Sequence, residues 1–174
     1  RMPEKQSEIY YLSGPARETV SRNPILEIFK AKEIEVLYCY EPIDEFALPG
    51  LMEYKGKKFK SADQVDLKAL SELPDKTAET PAADYDKKDM DHLARRIKDI
   101  LGDKVEDVRV SERLVDSPAL LVGTDSFMSS QMQRIMMHMQ HQVELPKRNL
   151  EINPRHPLLR NMEQIYRQDP QDPF

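Results

Sequence analysis

Tryptophan is absent from the 174 residues, cysteine occurs once and glycine only five times. The lone Cys39 excludes an internal disulfide framework and a cysteine-built zinc cluster, and it fits a reducing compartment. With glycine only at 14, 50, 56, 102 and 123, neither GxGxxG nor GxxxxGK[ST] occurs, so the two commonest phosphate-cradling loops are missing. Gly14 does stand between a strand-like and a helix-like run, but a Gly-Pro turn there reads as plain loop geometry. No apolar run approaches the roughly 18 residues of a membrane span. Nothing in Arg1-Met2-Pro3-Glu4-Lys5 resembles a secretory leader, and the missing Met at position 1 reads as a piece of a longer protein. Excess positive charge is lacking too: 26 Lys+Arg against 31 Asp+Glu leaves a net charge of -5. Duplex nucleic acid is therefore a poor partner, because binding there is driven by cations displacing counterions. What remains, 39% hydrophobic and 33% charged, describes a folded soluble chain of one ordinary domain or two small ones.

Catalytic constellations are scarce as well. Cys39 lies inside an apolar strand-like run, where a buried inert thiol is the default. The serines lack a G-x-S-x-G elbow, and no carboxylate pair is singled out by an apolar setting. His138 and His141 are three residues apart, a spacing compatible with a metal, but Glu144 is the only close carboxylate and solvated polar residues are the simpler reading. The residues point away from an enzyme.

Periodicity organises the rest. Residues 8–12, Glu-Ile-Tyr-Tyr-Leu, read as a strand ending at Ser13-Gly14-Pro15. A helical stretch follows from Ala16, and a second opens at Asn23-Pro24 with Ile25, Ile28 and Phe29 on one side. Residues 34–40 form another apolar strand, making a βαβ unit with a parallel crossover. A third helix starts near Pro42, interrupted at Pro49-Gly50. Residues 53–60 read as a basic, exposed edge strand or hairpin, its lysines at 55, 57, 58 and 60 discouraging sheet-to-sheet pairing. Between Leu73 and Asp86 the pattern dissolves into a linker. Beyond it Met90, Leu93, Ile97, Ile100 and Leu101 share a helix face closed by Gly102. Strands at 105–110, 119–123 and 149–152 and helices at 127–141 and 157–167 complete the pattern. The expected class is α/β (α+β): a small three-layer α/β/α unit with a βαβ core, then a mixed α+β domain with a short sheet and amphipathic helices. The boundaries read 1–72, linker 73–86 and 87–174.

One segment departs from the average. Residues 117–143 carry two formal charges, Asp125 and Arg134, where the chain average would place about nine. They also hold five of the nine methionines. Met128, Met132, Met136 and Met139 step by four, four and three, and Ile135 joins their stripe. A buried core helix is one reading. An adaptive contact surface is the other, since flexible, polarizable methionine suits surfaces that accept many shapes. Both stay open on the residues alone.

Several strings taken together carry a resemblance. EIYYLSG…NPILEIFKAKEIEVLYCYEPIDEFALPGLMEYKGKKFKS resembles the end of the middle domain of the heat shock protein 90 chaperone family, of bacterial or mitochondrial type. KDILGDKVEDVRVSERLVDSPALLV, MSSQMQRIM and LEINPRHPLLRNM are similar to that family's C-terminal domain, truncated before its last helices. The resemblance implies a homodimeric, ATP-driven chaperone that binds unfolded or partly folded client proteins, in the bacterial cytoplasm or the mitochondrial matrix. ATP and magnesium would belong to the parent's nucleotide domain, leaving this piece with no cofactor, nucleic acid or membrane partner. Two client-contact patches map onto it by resemblance: Glu45 and Phe46, where Phe replaces the usual bacterial Trp, and Met128, Met132, Ile135, Met136 and Met139. The alternative implied role is a purely structural, dimer-positioning module whose methionine helix is covered by a partner subunit.

Overall fold

The computed structural model describes residues 2, 6–41, 43–65, 70, 85–123 and 147–170. These fall into two units of mixed α/β content, one N-terminal to the 71–84 stretch and one C-terminal to it.

In the first unit, β1 (Glu8–Ser13) is followed by helices α1 (Arg17–Ser21) and α2 (Leu26–Ala31) and then by β2 (Val36–Cys39). β1 and β2 pair in parallel, Tyr10 opposite Val36 and Ser13 opposite Cys39, as the strand-helix-strand spacing predicts. The two short helices bury Val20, Leu26 and Phe29, and the Phe29 ring meets that of Tyr10 at 5.1 Å and 60°. Gly14 explains how closely the chain packs here. A Cβ on it would lie 2.7 Å from Val20 Cγ2, while its N–H extends the sheet to Cys39 O at 2.9 Å. Val20 fills the space beside the glycine, and the sheet takes its amide.

Helix α3 (Asp44–Leu51) leads into β3 (Glu53–Tyr54) and β4 (Lys57–Ser61), and the sheet order is β2-β1-β4-β3. Two expectations are corrected here. α3 is not interrupted at Pro49-Gly50 but continues to Leu51, the break falling at Met52 with φ +54°. A proline costs a helix its own amide bond and crowds the preceding turn, and this helix ends within two residues of it. Of the two readings of the lysine segment, edge strand or hairpin, it is a hairpin, turned at Lys55-Gly56 with φ +50° and +74°. Positive φ at both central residues matches strand twist in a two-residue turn. Yet most of its lysines are not on an edge. β4 lies inside the sheet, and Lys58 stands in register with Glu8 of β1 on one side and Glu53 of β3 on the other. Opposite charges on neighbouring strands let a basic strand be flanked.

The second unit opens with α4 (Lys87–Leu101), started by Asp86, whose carboxylate accepts from Lys88 N at 2.8 Å. Met90, Leu93 and Ala94 are buried, and Ile97 and Leu101 pack against the same core. Ile100, expected on that face, is half exposed. At about 100° per residue it sits roughly 80° round the helix from Met90, at the margin of the stripe. Gly102 ends the helix at φ +53°, and Lys98 Nζ reaches over the terminus to Gly102 O (2.7 Å) and Val105 O (2.8 Å). Strand β5 (Val108–Val110) is shorter than the predicted 105–110. It runs parallel to β7 (Arg148–Ile152), while β6 (Ala119–Gly123) flanks β7 antiparallel on its other side. Helix α5 (Pro157–Gln168) closes the unit, with His156 Nδ1 accepting from Leu158 N and Pro157 at its first position. Val105, Val108, Ile152 and Leu159 join the α4 residues in one core. The predicted helix 127–141 lies outside the described residues.

Candidate functional site

Amphipathic logic asks a surface helix to turn its polar side to water. α3 does otherwise. Ile43 at its start, Ala47 and Leu51 recur every four residues and share a stripe, and all three are exposed, Ile43 at 66% and Leu51 at 54%. Met52 follows at 75% and Tyr54 at 55%. The stripe spans about 12 Å at a rise of 1.5 Å per residue. Its frame is fixed locally: Asp44 Oδ2 accepts from Glu41 N at 3.1 Å, and Ala47 N donates to Ile43 O at 2.9 Å. At the far end, Phe59 N donates to Met52 O at 3.2 Å, holding the strained Met52 backbone against the hairpin. Lys55 Nζ lies 5.3 Å from the centre of the Tyr54 ring, bringing a cation to the margin of this surface.

Of the residues singled out from sequence, Glu45 and Phe46 fall within α3, on the turn between Ile43 and Ala47. Met128, Met132, Ile135, Met136 and Met139 lie outside the described residues, as do His138 and His141. Sequence reasoning singled out two positions of α3 but not the exposed apolar stripe Ile43–Ala47–Leu51, nor Met52 and Tyr54 beyond it. Their signal was present as apolar residues on both sides of Pro49-Gly50, in a helix too short to bury them all. Among the described residues no cluster of three or more metal-ligating side chains forms, and no helix is long and apolar enough to cross a membrane.

A second constellation, polar and buried, sits at the C-terminal end of β7. Because β5 and β6 flank β7, residues 111–118 must arch over its end to connect them. Glu151, 2% exposed, accepts from Ser111 Oγ (2.9 Å) and Arg109 Nη2 (3.2 Å), and Arg113 Nε lies 3.0 Å away but out of line for a hydrogen bond. Ser111 Oγ in turn accepts from the amides of Arg113 and Leu114, both at 3.2 Å. Asn153 is fully buried beneath the arch. It donates from Nδ2 to Val115 O (3.1 Å) and Ser117 O (3.0 Å), and from its amide to Pro118 O (2.8 Å). Nothing in the sequence periodicity marked these residues. The available signal was a Glu next to the last residue of a strand and an Asn just past it, two residues apart.

The comparisons place the chain. The protein-family model described as Hsp90 protein matches residues 1–174, the whole sequence. The chain belongs to the Hsp90 family. It is 42% identical over 175 residues to Chaperone protein HtpG of Oleidesulfovibrio alaskensis, covering 99% of this chain and 28% of that protein. It is 38% identical over 177 residues to Chaperone protein HtpG of Nitratidesulfovibrio vulgaris, covering 100% and 28%. For Chaperone protein HtpG of Geobacter sulfurreducens the identity is 38% over 173 residues, covering 99% and 26%. These Hsp90 relatives are bacterial, and the chain spans little more than a quarter of their length.

Proposed function

We propose that this chain is a client-contacting piece of an Hsp90 chaperone. In this reading residues 1–72 end the middle domain, 73–86 link, and 87–174 begin the C-terminal dimerisation domain. The parent would be a cytoplasmic homodimer, with ATP and magnesium acting in its nucleotide domain. The observation that carries the proposal is the exposed apolar stripe Ile43–Ala47–Leu51, continued by Met52, in a chain of a family whose relatives are named chaperones.

The physical argument concerns strength. Fully burying one aliphatic side chain is worth about 1.5–3 kcal/mol, and these are only half to three-quarters exposed to begin with. A few such contacts, reduced by the cost of ordering a client chain, give weak and reversible association. Weak, shape-tolerant apolar binding suits partly folded proteins of many sequences, which share exposed apolar side chains and little else. By resemblance Glu45 and Phe46, positions of the same helix, take part in this client contact. Met128, Met132, Ile135, Met136 and Met139 supply the second patch, where methionine's flexibility serves the same tolerance.

Two double variants test the reading against a permanently unfolded client protein. Ile43→Ser with Met52→Ser, and separately Met128→Ser with Met132→Ser, are expected to weaken binding several-fold while each leaves the thermal midpoint nearly unchanged. Surface substitutions of this kind change stability by about 0.5 kcal/mol or less. Full binding by both variants would contradict the proposal, and a large loss of stability in the methionine pair would assign those residues to a core.

A further inference from the structure

Asn153 serves two segments at once. Its Nδ2 and its amide hold the arch through Val115 O, Ser117 O and Pro118 O. Its Oδ1 accepts from Arg155 N at 3.0 Å, and its carbonyl accepts from His156 N at 3.2 Å. Those two amides shape the turn from which α5 springs, and His156 is the residue that caps α5. One buried side chain, with its donors and acceptor all engaged, therefore bonds both the arch and the start of α5. A buried amide that loses one partner pays for desolvation without return, so an arrangement that breaks one set of these bonds leaves the other poorly supported.

We propose that residues 111–118 and 153–156 form a single conformational latch, bolted by Asn153, in which the arch and the start of α5 open together and close together. Ser111 and Glu151 secure the arch side: the Ser111 hydroxyl donates to the carboxylate and accepts from two arch amides. The arch is not an inert connection, because Val115 on it is half exposed while Leu114 beside it is buried. Anything that loads the outer side of the arch thereby biases the seating of α5, and any pull on α5 is felt at the arch. The open and closed latch posited here would be one element with two arrangements, which is the physical requirement for two sites to communicate.

Native-state hydrogen exchange on the full 174-residue chain, across a low urea series, decides it. The amides of Arg113, Leu114, Asn153, Arg155 and His156 are expected to share one opening, about tenfold or more readily reached than that of Leu93 in the α4 core. Ser111→Ala supplies the sharper test. Ser111 has no bond to Arg155 or His156, yet a single latch requires their amides to quicken together with those of Arg113 and Leu114, by about tenfold, while Leu93 stays unchanged. If only Arg113 and Leu114 quicken, the two segments open independently and the latch is refuted. Should the variant not fold, the unsubstituted chain still decides: separate openings for the arch and turn amides, or exchange of both only by global unfolding, overturn the proposal.

Discussion

Gly14 and Tyr10 show how single residues set the first unit. An alanine at 14 would drive its Cβ into Val20 Cγ2, and Val20 is 1% exposed with little room to turn. Gly14→Ala is therefore expected to destabilise the chain by about 1–3 kcal/mol, read as an earlier midpoint in urea with an unchanged slope. Tyr10 is a different kind of constraint. Its burial, with the charge of Glu8 and a hydrogen bond to it, pushes the phenol up from 10.0 to about 12. Between those values the unfolded chain releases the Tyr10 proton while the folded chain keeps it. The unfolded state then binds fewer protons, so stability falls as pH climbs from 10 toward 12, and below 10 the contribution is constant. A Tyr10→Phe variant is expected to lose less stability over that interval than the unsubstituted chain, measured by urea unfolding at each pH. An equal loss in both would remove Tyr10 as the cause.

At the scale of elements, most of the pattern was legible because it rests on local rules. The βαβ unit, the Lys55-Gly56 hairpin, α4 with its Gly102 terminus and α5 with Pro157 all follow from periodicity, caps and turn residues. Asp86 illustrates the cap: its carboxylate accepts from Lys88 N, and Asp86→Ala is expected to cost about 1 kcal/mol in thermal or urea unfolding. A variant with wild-type stability would show that the cap bond contributes nothing. Strand position was not legible. Four lysines in a short segment argue for an edge, and only the partners Glu8 and Glu53 on adjacent strands explain why β4 lies inside. The pairing with β1 is non-local and leaves no trace in the segment itself. The same holds for the arch, whose bonds join residues 36 to 42 positions apart, Arg109 and Ser111 to Glu151 and the 115–117 backbone to Asn153. Exposure of the α3 stripe also needed the structure, since an apolar repeat of four reads as buried by default. Ion pairs are lesser contributors. Asp103 and Lys147 meet at 2.8 Å, which holds the carboxyl below its usual range and the ammonium above its own, but the carboxylate is fully exposed and salt screens the pair.

For the whole molecule, the family and the surface fit together. An Hsp90 chain of 174 residues that leaves Ile43, Ala47, Leu51 and Met52 to water presents apolar area where a self-contained domain would place charge. The methionine-rich 117–143 stretch has the same shortage of charge, two formal charges in all. Both are accounted for together if partly folded proteins rest on them in turn. The most direct measurement is a chemical-shift titration of the methyl-labelled chain with a permanently unfolded client. The account predicts shifts concentrated on the methyls of Ile43, Leu51 and Met52 and of Met128, Met132, Met136 and Met139, saturating at weak affinity, with the buried methyls of Leu93 and Ile152 still. Methyls that stay unmoved at both patches while the client binds elsewhere, or does not bind, would contradict it.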